Sequence, residues 1–167
     1  AQDLSYDEAD PSFDIHGVDA AHKLAILASL AFGTKVAFND VHTEGIRHVA
    51  AIDFEYARDL GFRIKLLGLA EQTDAGISQR VHPCLIDEHG PLAIVDGSYN
   101  AVIAEGDFVG RSVFEGRGAG AGPTASAVVA DVIDIAAGRF NNTFGVPVAH
   151  LQDLASVSIG DRVGAFY

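Results

Sequence analysis

The sequence predicts an α+β domain, with a mixed or antiparallel sheet flanked by helices on one face. Three observations predict it. A long apolar run over 19–32 has helix-start and helix-stop residues at its ends. A shorter helix-like run, 53–60, precedes four strand-like segments set apart by glycines. A segment rich in small residues, 124–137, then follows the last strand behind a glycine-rich loop.

The first helix is justified residue by residue. Pro11 biases Asp10 towards an extended conformation, and Gly17 relieves the backbone before the helix. Asp19 opens it, and Gly33 follows Phe32 as a natural C′ residue. The run Leu24-Ala25-Ile26-Leu27-Ala28-Ser29-Leu30-Ala31-Phe32 is apolar almost all round, which predicts a buried helix. Asp19 and Lys23 stand four apart and share a helix face. A lysine at the entrance of a buried helix needs a partner. Asp19 is the nearest in sequence, with Glu8 and Asp14 as further candidates.

Residues 35–38 form a short apolar piece before the polar turn Asn39-Asp40. Asp53 is expected to cap the second helix and Gly61 to end it. The strand block starts with 62–70, alternating and then apolar. A connection over 72–76 leads to 76–86, which is expected to be split by Pro83. Two more strands are predicted at 99–105 and 107–115, joined tightly at Gly106. The loop Gly116-Arg117-Gly118-Ala119-Gly120-Ala121-Gly122-Pro123-Thr124 opens the last helix. Strand, glycine loop and helix in that order present backbone N–H groups to phosphate, or form a turn that lets a small-residue helix pack closely on the sheet. No βαβ unit follows, so a Rossmann reading fails, and no Gly-Lys-Ser/Thr closes a P-loop. After Gly138, residues 141–147 read as a linker and 148–167 as short apolar pieces.

The chain has 167 residues, 49% of them hydrophobic and 20% charged, which predicts one globular domain with a real core. A net charge of −12 argues against a nucleic-acid partner, which needs a basic surface. No apolar run approaches the roughly 20 residues of a membrane span, and the acidic start is not a signal peptide. The single cysteine, Cys84, excludes an intramolecular disulfide and fits a reducing, cytoplasmic setting. The chain lacks methionine altogether, so it is expected to begin inside a longer protein or to have been processed.

The carboxylate-rich stretch before the first helix reads Glu8-x-Asp10-Pro11-x-x-Asp14-Ile15-x-Gly17-x-Asp19-x-x-x-Lys23. On residue types alone it is ordinary helix-start chemistry. As a whole pattern it resembles the catalytic-domain motif of homoserine dehydrogenase, with every fixed position filled. The later stretch Gly116-x-Gly118-Ala119-Gly120-x-x-Pro123-Thr124-Ala125-Ser126-Ala127-Val128 is similar to the same family. His16 stands, between fixed positions, where family members commonly carry another polar residue. The incoming helix of the family ends at a glycine where this chain has Ser5.

The resemblance spans essentially the whole chain but only the middle of the family's protein. It implies a catalytic domain over 1–140, including the cofactor-facing glycine loop and its helix, and a linker or extension over 141–167. The N-terminal dinucleotide-binding domain and any C-terminal ACT-type domain would lie outside it. The implied reaction is NAD(P)-dependent interconversion of L-homoserine and L-aspartate 4-semialdehyde, on the route to threonine, isoleucine and methionine. The implied substrate positions are Tyr6, Glu8, Asp14, Asp19 and Lys23. Carboxylates such as Glu8 suit the ammonium of homoserine. Lys23 suits the oxygen that gains negative charge as hydride arrives, with Asp19 orienting it. A second lysine of the family's site belongs to the absent domain, so Lys23 is not the sole candidate acid. Gly118, Gly120, Gly122 and Thr124 fall on the loop that lies against NADP or NAD. The family dimerises through this domain, so a homodimer through the sheet is expected. The isolated chain is expected to be inactive as a dehydrogenase. Two other readings remain: a non-catalytic dimerisation module, and a related semialdehyde dehydrogenase or reductase domain.

Other candidates are weaker. His82 and Cys84, or His42 and His48, do not complete a zinc set, which usually needs four ligands. Cys84 sits beside Pro83 in a strand, which favours a buried thiol over a nucleophile. Glu44 reads as part of a solvated loop.

Overall fold

The computed structural model describes residues 12–161. Its element order begins with α1 (Ser12–Ile15), α2 (Val18–Phe32), a 3-10 turn (Phe38–Asp40), β1 (His42–Thr43) and α3 (Ala51–Asp59). It continues with β2 (Phe62–Thr73), β3 (Gly76–Asp87), β4 (Tyr99–Gly106), β5 (Gly110–Arg117) and α4 (Ala121–Ala136), then two short 3-10 turns, Val148–His150 and Ile159–Asp161. The class is α+β, as the sequence predicts.

Gly17 joins α1 to α2 with a left-handed φ of 75°, and Gly33 ends α2 at φ 62° with its N–H on the Ser29 carbonyl at 3.0 Å. The expectation that α2 is buried all round does not hold. It buries Ala21, Leu24, Ala25, Ala28 and Ser29 and leaves Ile26, Leu27 and Leu30 exposed. The reason is geometric: α2 lies on one face of a single sheet, and only one stripe of a helix can face a sheet. Small residues let the layers approach. A Cβ on Gly68 would stand 3.3 Å from Leu24 Cδ1. Ala21, Leu24, Ala25, Val41 and Val81 form the core cluster, with Phe38, Leu66 and Ala70 packed on its rim.

The strands form two sheets, not one. The first has the order β1-β3-β2, with β1 parallel and β2 antiparallel to β3. The β2–β3 hairpin runs from Phe62↔Asp87 to Thr73↔Gly76 in unbroken register. Pro83 does not split β3. β1 pairs β3 only at Arg80 and Val81, so Pro83 opposes Leu66 where β3 has a neighbour on one side alone. Leu66, Ala70 and Val81 pack into the α2 core, so by period-two alternation Leu67, Leu69, Arg80 and His82 share the opposite face.

The second sheet is the β4–β5 hairpin by itself. Residues 107–109, expected within a strand, form its loop, and Gly110 closes it at φ 69°. Asp53 is not the N-cap of α3. The helix starts at Ala51, and Asp53 Oδ2 accepts the Ala50 N–H at 2.7 Å from the N3 position. α4 buries none of its residues, so it does not pack closely on a sheet within the described residues.

Part of the expected linker returns to the body. The Gln152 N–H bonds the Gly33 carbonyl at 2.8 Å, and the Lys35 N–H bonds the Gln152 carbonyl at 2.9 Å. Farther along, the Ile77 N–H bonds the Ala155 carbonyl at 2.8 Å, and the Val157 N–H bonds the Ile77 carbonyl at 2.9 Å. Gly76 is required at this contact, because a Cβ there would sit 2.1 Å from the Ala155 carbonyl oxygen.

Candidate functional site

The α1–α2 junction brings three of the expected site residues onto adjoining elements. Asp14 lies on α1, and Asp19 and Lys23 on the first turns of α2. Lys23 Nζ donates to Asp19 Oδ2 at 2.6 Å. Both side chains are open to solvent, 66% for Lys23 and 46% for Asp19. Lys23 therefore does not carry the burial penalty expected of it, because the Asp19–Lys23 face turns away from the sheet. The Asp14 carboxylate is exposed and has no hydrogen-bond or ion-pair partner among the described residues. Tyr6 and Glu8, with Asp10 and Pro11, lie outside the described residues.

The backbone beneath this face is tightly specified. A Cβ on Gly17 would meet Val81 Cγ1 at 3.1 Å and Thr43 Cγ2 at 3.3 Å. Gly45 backs onto α1, and the Ile46 N–H bonds the Ile15 carbonyl at 2.9 Å. The Glu44 N–H in turn bonds the Val81 carbonyl at 2.7 Å. So the loop after β1 ties the end of α1 to the central strand. Gly45 carries no role legible in the sequence: it is a glycine between Glu44 and Ile46 with no turn signature around it. The same holds for His22, beside Lys23. Its ring stacks on Phe38 with centroids 3.8 Å apart.

The glycine loop is a separate feature. The Gly118 N–H bonds the Ser98 carbonyl at 3.1 Å, and Gly120 caps α4 at φ 113° with no side-chain cap. The Thr124 N–H is used by the Gly120 carbonyl at 3.1 Å. A Cβ on Gly122 would meet nothing within 4 Å, so this turn of backbone is open. The first N–H groups of α4 can donate to an anionic or carbonyl oxygen. Gly118, Gly120, Gly122 and Thr124 make no hydrogen bond to Asp14, Asp19 or Lys23 among the described residues.

Among the described residues, no group of three or more His, Cys, Asp or Glu side chains could hold a metal ion. Cys84 is half-buried, its Sγ 3.4 Å from His82 Nδ1. No described helix is long and apolar enough to cross a membrane. Surface clefts among the described residues include one of about 220 Å³ beside Ile86 and Arg111 and one of about 400 Å³ beside Phe54 and Arg58. Neither reaches the α1–α2 junction.

Comparison with known proteins gives one consistent result. The family model for homoserine dehydrogenase matches residues 1–133. A homoserine dehydrogenase of Neisseria gonorrhoeae is 56% identical over 136 residues, 81% of this chain and 31% of that protein. One from Synechocystis is 57% identical over 139 residues, 81% of this chain and 32% of that protein. The crystal structure of a homoserine dehydrogenase from Thiobacillus denitrificans superimposes with a TM-score of 0.83 at 48% identity, over 93% of this chain and 37% of that one. A hyperthermophilic archaeal homoserine dehydrogenase mutant in complex with NADPH matches with a TM-score of 0.60 at 30% identity, over 81% of this chain and 37% of that one. The chain thus spans about a third of the length of the curated relatives it matches. With its carboxylate–lysine motif, its glycine loop and its fold all in agreement, the chain belongs to the homoserine dehydrogenase family.

Proposed function

We propose that this chain is the catalytic, substrate-binding domain of a homoserine dehydrogenase, acting on L-homoserine and L-aspartate 4-semialdehyde with NADP or NAD, in the biosynthesis of threonine, methionine and isoleucine. The observation that carries the reading is the Asp19–Lys23 pair, held at 2.6 Å on an exposed helix face inside the stretch that the family model matches. An exposed ion pair adds little to stability, so its placement is better explained by a ligand than by the fold.

In this reading the carboxylates of Glu8 and Asp14 hold the substrate ammonium. Lys23 donates to the aldehyde oxygen as that oxygen takes up the electron pair of the C=O bond, and Asp19 orients the ammonium. The nicotinamide, when bound, supplies hydride to the carbonyl carbon or accepts it back. Gly118, Gly120, Gly122 and Thr124 would lie against the cofactor. The open backbone at Gly122 and the uncapped start of α4 fit that role. Residues 1–140 form the catalytic unit and 141–167 the extension.

The sequence holds no dinucleotide-binding βαβ unit, which supports the view that this chain alone does not transfer hydride. A homodimer through the sheet fits the face opposite α2. That face is not purely apolar: Leu67 and Leu69 lie beside Arg80 and His82, whose buried Nε and Nε2 atoms have no hydrogen-bond partner among the described residues. A second copy would cover the half-buried Leu67 and Leu69.

A chimera tests the assignment. This chain would replace its counterpart in the Neisseria gonorrhoeae enzyme, and NADPH oxidation by aspartate semialdehyde would be followed. Activity that falls about 100-fold or more in the Lys23→Ala chimera is expected. A folded, NADPH-binding chimera without activity, or one indifferent to Lys23→Ala, would refute the assignment.

A further inference from the structure

Next to Lys23 on α2, His22 presents its ring to two phenylalanines from different elements. The His22 and Phe38 rings stack with centroids 3.8 Å apart and planes 1° from parallel. Phe13, on α1, lies parallel to the same ring within 2°, its centroid 6.5 Å away. Phe38 is itself packed on the core cluster of α2 and β3. The three rings therefore run from the core, across α2, to α1.

α1 is the four-residue turn Ser12–Ile15 and contains no buried residue. Among its contacts to the rest of the chain are the Ile46 N–H on the Ile15 carbonyl, the close approach of Gly45 and the ring row. α1 carries Asp14, and α2 carries Asp19 and Lys23. The ring row thus links the element that carries Asp14 to the helix that carries Lys23.

We infer that His22 is a positioning residue: by stacking between Phe38 and Phe13 it holds α1, and with it Asp14, in register with Lys23 for binding an amino-acid substrate. The role belongs to the flat ring and not to a ring nitrogen, since no described hydrogen bond or ion pair involves the His22 imidazole. A phenylalanine at position 22 can therefore fill it, and an alanine cannot. The inference rests on the proposed function only for the identity of the ligand.

The experiment compares this chain with His22→Ala and His22→Phe. Hydrogen exchange of the His16 and Gly17 amides, which bond the Ser12 and Asp14 carbonyls, reports on α1 without any ligand. Homoserine affinity by calorimetry reports on the site, and urea unfolding monitors the fold. Aromatic pairs of this kind predict about a 3- to 10-fold loss of α1 protection and of homoserine affinity in His22→Ala. Both should return to wild-type levels in His22→Phe. Protection unchanged in His22→Ala, or a His22→Phe variant as impaired as His22→Ala, would overturn the inference. Should wild type bind no homoserine, the substrate reading fails, and the exchange data alone decide whether His22 positions α1.

Discussion

Gly45 backs onto Ile15 so closely that a Cβ there would stand 2.1 Å from the Ile15 carbonyl oxygen and 2.7 Å from His16 Cα. That oxygen accepts the Ile46 N–H, so the obstruction is backbone on both sides and cannot rotate away. Gly45→Ala must push the loop after β1 off the α1–α2 junction. Forcing a methyl into packed backbone costs about 1–3 kcal/mol, and a lowered urea midpoint with an unchanged slope is the expected result. An unchanged midpoint would mean that the junction is looser than described.

The Asp19–Lys23 pair is expected to matter little to stability. Both side chains are open to solvent, and an i, i+4 pair of this kind contributes about 0.3–0.5 kcal/mol. Asp19→Asn and Lys23→Ala should unfold within about 0.5 kcal/mol of wild type by circular dichroism in urea. A loss several times larger would show the pair to be a structural contact, and the case for a ligand there would weaken.

Asp96 gives a pH-dependent contribution. Its carboxyl is held below its ordinary value of 3.8, first by the hydrogen bond from Lys65 and then by the Lys65 charge, with Arg63 adding to both. The contacts are 2.8 Å to Lys65 Nζ and 3.4 Å to Arg63 Nη1. A carboxylate whose folded-state pKa is depressed adds stability above its unfolded value, about 3.9. It loses that stability as pH falls through the folded value. The gap between wild type and Asp96→Asn should therefore be full near neutrality and close in acid, and it should be small because Asp96 is solvent-exposed. NMR titration should show Asp96 moving up towards its ordinary value in Lys65→Met. An Asp96 that already titrates normally in wild type would contradict this.

The sheet face carrying Leu67, Leu69, Arg80 and His82 is the proposed dimer surface. Leu67→Asp with Leu69→Asp places two charges there without touching the α2 core. The double variant should sediment as a monomer at concentrations where the parent is a dimer. Equal sedimentation of the two proteins as dimers would move the interface elsewhere.

Much of this architecture was legible because its signals are local. Gly17 and Gly33 mark the ends of α2, and the β2–β3 hairpin follows from alternation with a turn before Gly76. What escaped depends on partners distant in sequence. β1 is two residues long and exists by pairing with Arg80 and Val81. α1 is too short for any periodicity, and nothing in the strand runs tells that β4 and β5 stand apart from β2 and β3. Apolar content misled for α2, where Ile26, Leu27 and Leu30 remain exposed. At the α1–α2 junction, spacing alone put Asp19 and Lys23 on one helix face, and it was the family resemblance that marked Asp14, Asp19 and Lys23 as candidate site residues. Gly45 and His22 were not legible, because their roles lie in contacts with Ile15, Phe13 and Phe38.

The most direct test of the central claim is calorimetric titration of L-homoserine into this chain, beside Lys23→Ala and Glu8→Gln. A preformed site built on the carboxylate–lysine motif predicts binding by wild type. Affinity should fall about 10- to 100-fold in each variant, the cost of removing a charge-assisted hydrogen bond. Identical heats in wild type and both variants, or none from a folded wild-type chain, would contradict a substrate site on this domain.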